Sequence, residues 1–326
     1  MNSSSHSRVL VTGGAGFIGS QLIAELNRRG VSDIVVADFL ASDEKWRNLV
    51  PLSFTDYTDA GDLIAAMRAG TLGSFDLVLH MGACSSTTET DAAYLMRNNY
   101  QFTRDLAELS LAAGARFVYA SSAATYGDGS AGMDDSSDIN YLESLRPLNM
   151  YGYSKHLFDL HAARTGLLDQ CAGVKYFNVF GPNEQHKGDM RSLVNKAFTQ
   201  VRETGDIRLF RSYRDDIADG EQRRDFIYIN DAVAMTLFLA DHKAANGLFN
   251  AGSGRAETWV ELANAVFAAM GKKPSIQFID MPEAIRAKYQ YFTQANIGRL
   301  RAAGYEQEVT PLTDAVSDYV TNYLTP

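Results

Sequence analysis

The sequence predicts an α/β fold in which helices cover both faces of a doubly wound parallel sheet, with a smaller, mixed α/β lobe attached. Two observations lead to this prediction. Short, continuous apolar runs alternate with helical patterns through residues 8–180, and a turn rich in glycine connects the first apolar run to the first helix. Continuous apolar strands that alternate with helices are typical of a parallel sheet buried on both faces.

The first strand, turn and helix lie close to the start of the chain. The run RVLVT (8–12) is largely apolar, rich in β-branched residues, and followed by glycines. After it, Phe17, Leu22, Ile23 and Leu26 recur at helical spacing. This pattern predicts a strand, a turn and a helix.

Further apolar runs continue the pattern. Strands are predicted at IVVAD (34–38), FDLVLHM (75–81), ARFVYAS (115–121) and GVKYFNVF (173–180). Later runs predict strands that return to the first lobe, at DFIYIND (225–231) and GLFNAG (247–252), and one strand in the tail, at SIQFI (275–279). Ser86 and Glu89 lie between the strands predicted at 75–81 and 115–121. They have the spacing of a capping box, which favours a helix start at this point.

The chain is expected to form two intimately joined lobes, because no low-complexity linker separates them. Residues 7–180 form the first lobe together with the returning segment 223–254. Residues 181–222 and 255–326 form the second.

Composition limits the class of protein. The chain has 326 residues, of which 46% are hydrophobic and 21% charged, and its formal net charge is −9. An acidic protein repels nucleic acid and anionic membrane surfaces, and no Lys/Arg stripe offsets this charge. No apolar run approaches the roughly 20 residues of a spanning helix, and the start lacks the apolar stretch of a signal peptide. We therefore expect a cytoplasmic protein that binds neither nucleic acid nor membrane.

Metal binding is not expected either. The chain has two cysteines and six histidines, and they show no metal-ligand spacing.

The turn TGGAGFIGS (12–20) has the glycine pattern of a Rossmann-type dinucleotide-binding domain. Gly14, Gly16 and Gly19 have the G-x-G-x-x-G spacing, and Gly13, Gly16 and Gly19 the related G-x-x-G-x-x-G spacing. A side chain here would keep a pyrophosphate from the backbone amides at the helix N-terminus. The first lobe is therefore predicted to be a dinucleotide-binding domain.

An acidic residue follows at the spacing that this type of domain uses. Asp38 ends the second strand 19 residues after Gly19, where a carboxylate can hold an adenosine ribose. Asp38 by itself favours NAD. Lys45 and Arg47 could neutralise a ribose phosphate, so NADP also stays open.

A tyrosine and a lysine four residues apart indicate redox chemistry. In MYGYSK (150–155), Tyr151 and Lys155 share one face of a helix predicted over residues 151–165. We expect the Lys155 ammonium to lower the pKa of Tyr151 toward the range of a general acid or base. Beside a nicotinamide, such a pair takes a hydroxyl proton as hydride leaves the carbon. Ser121 and Ser122 end a predicted sheet strand about thirty residues earlier.

Together these residues resemble the extended short-chain dehydrogenases/reductases that act on nucleotide sugars, and the resemblance covers nearly all of the chain. More narrowly, several long runs resemble the ADP-L-glycero-D-manno-heptose 6-epimerases. These runs are GACSSTTE (82–89), NNYQ (98–101), YASSAATYG (119–127), YFNVFGPNEQHKGDM (176–190), RRDF (223–226), FNAGSGRAE (249–257) and YQYFTQA (289–295).

This resemblance implies a reaction and its catalytic residues. The chain would invert the sixth carbon of ADP-D-glycero-β-D-manno-heptose by transient oxidation to a ketone, for lipopolysaccharide inner-core synthesis. The family pattern assigns the acid/base tyrosine to Tyr151, its lysine partner to Lys155 and the serine that contacts the substrate hydroxyl to Ser122. It assigns the second acid/base group to Lys187 in the H-K-G triplet, which requires a lowered lysine pKa. A solvated loop lysine is the alternative.

The resemblance also implies binding residues. Tightly bound NADP, one per subunit, is expected, with NAD as the alternative. The residues expected to hold it are Gly13, Gly16, Phe17, Ile18, Gly19, Asp38, Phe39, Lys45, Met81, Gly82, Ala83, Cys84, Ser85, Asn98 and Lys155. The residues expected to bind the ADP-sugar are Asn178, Val179, Lys187, Lys196, Phe210, Arg211, Arg224 and Tyr289. Arg224 is the leading clamp for the diphosphate, and a surface pair with Asp225 is its alternative role.

Three other functions fit parts of the pattern. A nucleotide-sugar 4,6-dehydratase normally has an Asp-Glu pair directly after the serine or threonine, where Ala123 and Ala124 stand here. A 4-epimerase of the UDP-galactose type shares the serine, tyrosine and lysine, and only the H-K-G segment and the runs of the second lobe argue against it. A dinucleotide-sensing protein without catalysis commonly lacks the tyrosine or the lysine of this pair, whereas both Tyr151 and Lys155 are present here. The resemblance further suggests a homo-oligomer, with a pentamer as one form.

Overall fold

The computed structural model describes residues 6–286 and 289–325. Seven strands form a parallel sheet in the order β11-β6-β5-β4-β1-β2-β3. Its strands are β1 (Val9–Thr12), β2 (Ile34–Asp38), β3 (Asp56–Asp59), β4 (Leu77–His80), β5 (Arg116–Ser122), β6 (Ala172–Tyr176) and β11 (Gly247–Ala251). The strand order reverses between β1 and β4, which is where doubly wound sheets bind ligands at the carboxyl ends of their strands.

Three two-stranded sheets lie outside the large one. They pair β7 (Asn178–Phe180) with β10 (Phe226–Tyr228), β9 (Arg223–Arg224) with β12 (Glu257–Thr258), and β8 (Ile207–Phe210) with β13 (Ile276–Ile279). The β9–β12 pair is antiparallel and the other two are parallel.

Twelve α-helices occur in the described residues. They are α1 (Phe17–Arg28), α2 (Ala60–Arg68), α3 (Ala92–Leu95), α4 (Phe102–Ala112), α5 (Ile139–Ser144), α6 (Met150–Arg164), α7 (Leu193–Thr204), α8 (Ile229–Asp241), α9 (Trp259–Ala269), α10 (Glu283–Arg286), α11 (Gly298–Ala302) and α12 (Leu312–Tyr319). Short 3₁₀ segments occur at Glu44–Leu49, Ala123–Tyr126, Leu167–Asp169 and Gln185–Met190, and π segments at Met96–Gln101 and Val320–Leu324.

Apolar side chains cover both faces of the large sheet, as the continuous strands predicted. Successive residues of β1 point to opposite faces, so Val9 and Val11 join one core and Leu10 joins the other. Helices α1 and α8 contribute Leu22 and Leu237 to the first core. The doubly wound α/β fold is therefore confirmed. No helix in these described ranges is both long and apolar enough to cross a bilayer.

Three local predictions need correction. The run 173–180 is not one strand: β6 ends at Tyr176, and β7 leaves the large sheet to pair with β10. The run 225–231 pairs with β7, but it is a strand only at Phe226–Tyr228, and its last residues begin α8. Ser86 and Glu89 cap no helix, because α3 begins later, where the Asp91 side chain accepts from the Tyr94 amide.

A fully buried ion pair joins helix α6 to the large sheet. Lys175 Nζ on β6 lies 2.6 Å from Asp159 Oδ2 on α6, and neither side chain is exposed. The carboxylate also accepts hydrogen bonds from the hydroxyls of Tyr119 and Ser121 on β5, each at 2.8 Å. Lys175 Nζ also donates to Thr125 Oγ1 at 2.7 Å. The network fixes α6 against β5 and β6 at the carboxyl edge of the sheet.

Removing one partner of this pair should strongly destabilise the protein. We expect Lys175→Met to lower the free energy of unfolding by roughly 3–5 kcal/mol, because it leaves the Asp159 charge buried without its cation. Urea denaturation measures the loss. Arg164→Met is the control, since Arg164 pairs with Glu143 where both side chains are about half exposed, and it should cost less than about 1 kcal/mol. Equal losses in the two variants would contradict this account.

Candidate active site

A cavity of about 720 Å³ runs along the carboxyl ends of the central strands. Every residue predicted to hold the cofactor lines it, namely Gly13, Gly16, Phe17, Ile18, Gly19, Asp38, Phe39, Lys45, Met81, Gly82, Ala83, Cys84, Ser85, Asn98 and Lys155. The four predicted catalytic residues, Ser122, Tyr151, Lys155 and Lys187, line the same cavity. The fold thus brings together residues that lie far apart in the chain.

The glycine turn is packed too closely to admit side chains. Gly13 has a positive φ of 66°, and a Cβ there would lie 2.7 Å from the backbone of Gly82. A Cβ on Gly19 would lie 2.1 Å from the Gly13 carbonyl oxygen. Helix α1 begins at Phe17, and its N-cap, Gly16, provides no side-chain hydrogen bond. The N-terminal amides of α1 therefore face the cavity at the position where such a turn binds a pyrophosphate.

The carboxylate of Asp38 is buried beside this turn and holds three donors. Its Oδ2 accepts from the Ala15 amide at 2.9 Å, and its Oδ1 accepts from the Phe39 amide at 2.7 Å. Lys45 Nζ donates to the same Oδ1 at 2.9 Å. The Lys45 ammonium thus neutralises the carboxylate at the edge of the cavity.

The tyrosine and lysine of MYGYSK lie on α6, which begins at Met150, as predicted to within one residue. The Asn149 side chain caps this helix by accepting from the Gly152 amide at 2.8 Å. Lys155 is buried, and its Nζ donates to the Ala120 carbonyl oxygen of β5 at 2.8 Å. Burial lowers the pKa of Lys155 to about 8, although the charge of Asp159 acts in the opposite direction.

The expected direction of the Tyr151 pKa is wrong for this arrangement. Burial raises the pKa of Tyr151 above its usual value, and a hydrogen bond with the Ser122 side chain only partly offsets this effect. The Lys155 ammonium points to the Ala120 carbonyl oxygen. Desolvation of the phenolate therefore outweighs its stabilisation by neighbouring groups.

Ser122 is held at the end of β5 by the turn that follows it. Its Oγ accepts from the Ala124 amide at 3.1 Å, and its carbonyl oxygen accepts from Thr125 Oγ1 at 2.8 Å. Thr125 Oγ1 also accepts a hydrogen bond from Lys175 Nζ. Hydrogen bonds therefore link the buried ion pair to the Ser122 carbonyl oxygen. Asp159 and Lys175 were not among the residues predicted from the sequence. Two signals could have identified them: Lys175 is a charged residue inside a predicted apolar strand, and Asp159 is an acid four residues after Lys155.

Lys187 lies on the 3₁₀ segment Gln185–Met190. Its Nζ lies 5.2 Å from the centre of the Phe17 ring, on the first turn of α1. Burial lowers the pKa of Lys187, the charge of Glu184 raises it, and the charge of Lys196 lowers it further. Lys187 is thus a partly buried side chain on the cavity wall, and its pKa is lowered.

A second cavity of about 590 Å³ adjoins the first. Both are lined by Phe177, Val179, Lys187 and Met190, so Lys187 stands where they meet. Six of the eight residues predicted to bind the ADP-sugar line the second cavity: Asn178, Val179, Lys187, Lys196, Phe210 and Tyr289. Arg191 and Arg208 also line it, and the sequence analysis did not single them out.

The two remaining predicted residues, Arg211 and Arg224, line neither of these cavities. Arg211 is exposed and lies 3.4 Å from Asp219 and 3.7 Å from Asp280. Arg224 is buried, and its guanidinium lies 4.9 Å from the ring centre of Tyr289 and 5.6 Å from that of Trp259. Arg224 therefore supports the wall of the second cavity from behind.

The alternative role for Arg224, a surface pair with Asp225, is wrong. Asp225 is buried and accepts hydrogen bonds from the backbone amides of Ser253, Gly254 and Ala295. Arg224 donates to the backbone carbonyl oxygens of Arg223 and Gln290 instead. Asp225 lies between β9 and β10, and its carboxylate and the Arg224 guanidinium use different partners.

Within residues 6–286 and 289–325, no cluster of three or more His, Cys, Asp or Glu side chains could hold a metal ion. Both cysteines are free, with Cys171 buried and Cys84 on the wall of the first cavity.

Comparison with known proteins identifies one family. Residues 9–252 match the NAD dependent epimerase/dehydratase family. The chain is 53% identical over 316 residues to an ADP-L-glycero-D-manno-heptose-6-epimerase of Nitratidesulfovibrio vulgaris, covering 97% of both chains. It is 41% identical to the enzyme of the same name from Fusobacterium nucleatum, covering 97% of this chain and 98% of that one.

Two solved structures are also similar. The crystal structure of the Helicobacter pylori ADP-L-glycero-D-manno-heptose-6-epimerase matches with a TM-score of 0.84 at 25% identity, covering 100% of this chain and 98% of that one. A Thermus thermophilus UDP-glucose 4-epimerase in complex with NAD matches with a TM-score of 0.76 at 25% identity, covering 98% and 99%.

The buried Lys155 ammonium should cost stability. Replacing Lys155 with Met is expected to raise the free energy of unfolding at pH 7 by roughly 1–3 kcal/mol, since each pKa unit corresponds to about 1.4 kcal/mol. The folded pKa of about 8 lies below the usual 10.5. The unfolded chain therefore binds more protons between these values, and the wild type gains stability as pH rises through this range.

The free energies of unfolding of wild type and Lys155→Met should accordingly become more similar from pH 8 to pH 10, as measured by urea denaturation at each pH. Lys243→Met, at an exposed lysine, controls for the loss of a charge and should leave the pH dependence unchanged. A variant less stable than wild type at every pH would show that the ammonium stabilises the fold.

Proposed function

The chain belongs to the NAD dependent epimerase/dehydratase family and, within it, to the ADP-L-glycero-D-manno-heptose 6-epimerases, and we propose that it is an isomerase that converts ADP-D-glycero-β-D-manno-heptose to ADP-L-glycero-β-D-manno-heptose. The product supplies heptose for the lipopolysaccharide inner core. The observation that carries this function is the meeting of Tyr151 and Lys187, two ionisable groups from different elements, at one cavity with Ser122.

The substrate requires oxidation because its sixth carbon carries a hydroxyl group and no neighbouring carbonyl group acidifies its hydrogen. A nicotinamide held by the residues of the first cavity would supply a hydride acceptor for this carbon and a hydride donor for the opposite face of the ketone. The oxygen lies in a different place after the ketone rotates, so a second proton donor is needed. One group of the protein therefore removes the hydroxyl proton, and another returns a proton to the oxygen.

Tyr151 and Ser122 act on the substrate oxygen in one of its two positions. The raised pKa of Tyr151 keeps its phenol protonated near neutral pH, so it acts readily as the acid and needs help to act as the base. The Ser122 hydroxyl contacts the phenol and orients the substrate hydroxyl beside it. Lys155 holds α6 to the Ala120 carbonyl oxygen of β5 and so fixes the helix that carries the phenol.

Lys187 serves the other position. A lysine in water holds its proton too tightly to act as a base near neutral pH, and burial beside Phe17 weakens this hold. Its place between the two cavities lets it reach a sugar that lies across both.

The second cavity takes the ADP part of the substrate. Lys196 and Arg208 bring positive charge to a diphosphate, and Phe210 and Tyr289 offer aromatic surface to the base. Residues 181–222 and 255–326 act as the substrate-binding lobe beside the dinucleotide-binding domain. Arg211 and Arg224 contribute through the neighbouring structure, because neither lines the cavity.

The family is NAD dependent, and NADP is proposed as the resident form, tightly bound with one per subunit. Lys45 neutralises Asp38, which lowers the repulsion that an acidic residue would exert on a ribose phosphate. The proposal also includes a cytoplasmic location and a homo-oligomer, with a pentamer as one form. Two free cysteines suit a reducing compartment and favour the first, and the family resemblance favours the second.

Loss of the phenol should slow turnover strongly. Tyr151→Phe is expected to reduce the rate roughly 10²–10⁴-fold, the usual contribution of a positioned acid/base group. The assay incubates the protein with ADP-D-glycero-β-D-manno-heptose, without added cofactor, and follows the sixth-carbon configuration by NMR. Tyr153→Phe is the matched control, because Tyr153 lies on the same helix with its ring exposed.

Failure of the wild type to invert the sixth carbon would remove the assignment. Turnover of UDP-galactose instead would favour a 4-epimerase, and equal rates for wild type and Tyr151→Phe would favour a dinucleotide sensor.

Lys45 should decide which dinucleotide is retained. Lys45→Met is expected to lower the ratio of NADP to NAD in the purified protein by about tenfold, since a hydrogen bond to a charged group contributes about 1.5–3 kcal/mol. The dinucleotides are released by denaturation and measured by chromatography. Lys243→Met should leave the ratio unchanged, and an unchanged ratio in Lys45→Met would place NADP selection elsewhere.

A further inference from the structure

We propose that Glu184 is a positioning residue for Lys187, because its buried carboxylate closes the base of the loop that carries this lysine. The inference rests on the proposed role of Lys187 as the second acid/base group. Glu184 touches neither substrate nor cofactor in this proposal and acts through the Lys187 side chain.

The loop comprises residues 184–192, and its two ends meet at the Glu184 carboxylate. Oε2 accepts from the Ser192 amide at 2.6 Å, and Oε1 accepts from Ser192 Oγ at 2.5 Å. The Ser192 hydroxyl in turn caps α7 by accepting from the Asn195 amide at 3.3 Å. The far end of the loop is thus fixed to the start of a helix that packs in the core.

Within the loop, hydrogen bonds to backbone carbonyl oxygens fix the chain before and after Lys187. The Lys187 amide donates to the Glu184 carbonyl oxygen at 3.0 Å, and the Arg191 side chain donates to the Gly188 carbonyl oxygen at 2.9 Å. Gly188 has a positive φ of 53°, which reverses the chain directly after the lysine. Releasing the Glu184 carboxylate would therefore free both ends of the segment that aims Lys187.

The C-terminal helix supports the same carboxylate. Tyr319 on α12 is fully buried, and its hydroxyl donates to Glu184 Oε1 at 3.1 Å while it accepts from Asn195 Nδ2 at 2.9 Å. Three donors thus satisfy a carboxylate that is itself fully buried. Burying a carboxylate is costly even when it is hydrogen-bonded. A neutral residue could close the loop at lower cost, so the charge itself points to a role beside Lys187.

That role follows from the charges that face the lysine. Lys187 is subject to the positive charge of Lys196 on α7, and His186 is its immediate neighbour on the loop. Arg191 lies at the end of the same loop, and Tyr319 faces it from α12. Two carboxylates lie on the loop: Asp189 is exposed, whereas Glu184 is buried, and the charge of Glu184 offsets part of the fall in the pKa of Lys187 that burial causes. A lysine that must give and take a proton within one turnover benefits from this balance.

The test isolates the half-reaction that depends on Lys187. In the Tyr151→Phe protein, one of the two ADP-heptose epimers should still reduce the bound nicotinamide, because Lys187 can remove its hydroxyl proton. The rate of this absorbance change, measured by stopped flow across pH, should rise as Lys187 loses its proton. Adding Lys187→Met should abolish the signal. A signal from neither epimer, or one that survives Lys187→Met, would overturn the two-base mechanism itself and this inference with it.

Given that signal, Glu184→Gln is added to the Tyr151→Phe protein. We expect the half-reaction to slow about tenfold and its pH midpoint to fall by roughly one unit, since removal of a nearby opposite charge disfavours the ammonium. Glu184→Asp keeps the charge with a shorter reach, so it should restore the midpoint more than the rate. Glu203→Gln, at an exposed glutamate on α7, should change neither. An unchanged rate and midpoint in Glu184→Gln would overturn the inference and leave the two-base mechanism standing.

A second variant covers the case in which Glu184→Gln does not fold. Tyr319→Phe keeps the ring and the carboxylate charge but removes one donor. It should slow the half-reaction several-fold without lowering the pH midpoint. A rate equal to that of the Tyr151→Phe protein would show that the contacts of the Glu184 carboxylate do not position Lys187.

Discussion

The buried pair of Lys175 and Asp159 is the interaction on which the rest of the site depends. A buried ion pair is weak evidence for stability, because the desolvation of two charges offsets much of their attraction. Its value here is geometric. Asp159 lies on the helix that carries Tyr151 and Lys155, and it contacts Ser121 next to Ser122. A helix that slid along the sheet would break several buried hydrogen bonds at once, so the phenol, the ammonium and the serine keep one arrangement.

Burial is the common cause of the shifted pKa values at the cavity, and it acts in opposite directions on acids and bases. It raises the pKa of Tyr151 and lowers the pKa of Lys155 and Lys187. Desolvation always disfavours the charged form, so it brings a phenol and an amine toward the neutral state together. Local charges then adjust each group separately, through Asp159 for Lys155 and Glu184 for Lys187.

Positive charge in this acidic protein is divided by function. Lys45 stands at the dinucleotide end of the first cavity, Lys187 at the junction, and Lys196 with Arg208 in the second cavity. Arg224 shows a different use of a cation. Its guanidinium packs against Tyr289 and Trp259 and donates to backbone carbonyl oxygens, so it supports an aromatic wall. A conspicuous arginine in a run typical of the family therefore packs against residues that line the second cavity and does not line it itself.

The sequence by itself determined the sheet, the glycine turn and the residues along the first cavity. These features depend on local rules: strand and helix periodicity, the need for glycine where backbones approach closely, and the four-residue spacing that puts Tyr151 and Lys155 on one helix face. Parallel strands end at one edge of the sheet, so residues at strand ends could be grouped without coordinates. The long runs typical of the 6-epimerases added Lys187, which periodicity alone leaves as a loop lysine.

Only the tertiary structure decided how the side chains pair. The break between β6 and β7, the buried position of Arg224 and the exposed one of Arg211 depend on partners distant in the chain, which local pattern does not encode. The same holds for the direction of the Tyr151 pKa, because burial is a property of the folded chain and not of a spacing. Glu184 meets Tyr319 across 135 residues, and such a contact exists only when α12 packs beside α7.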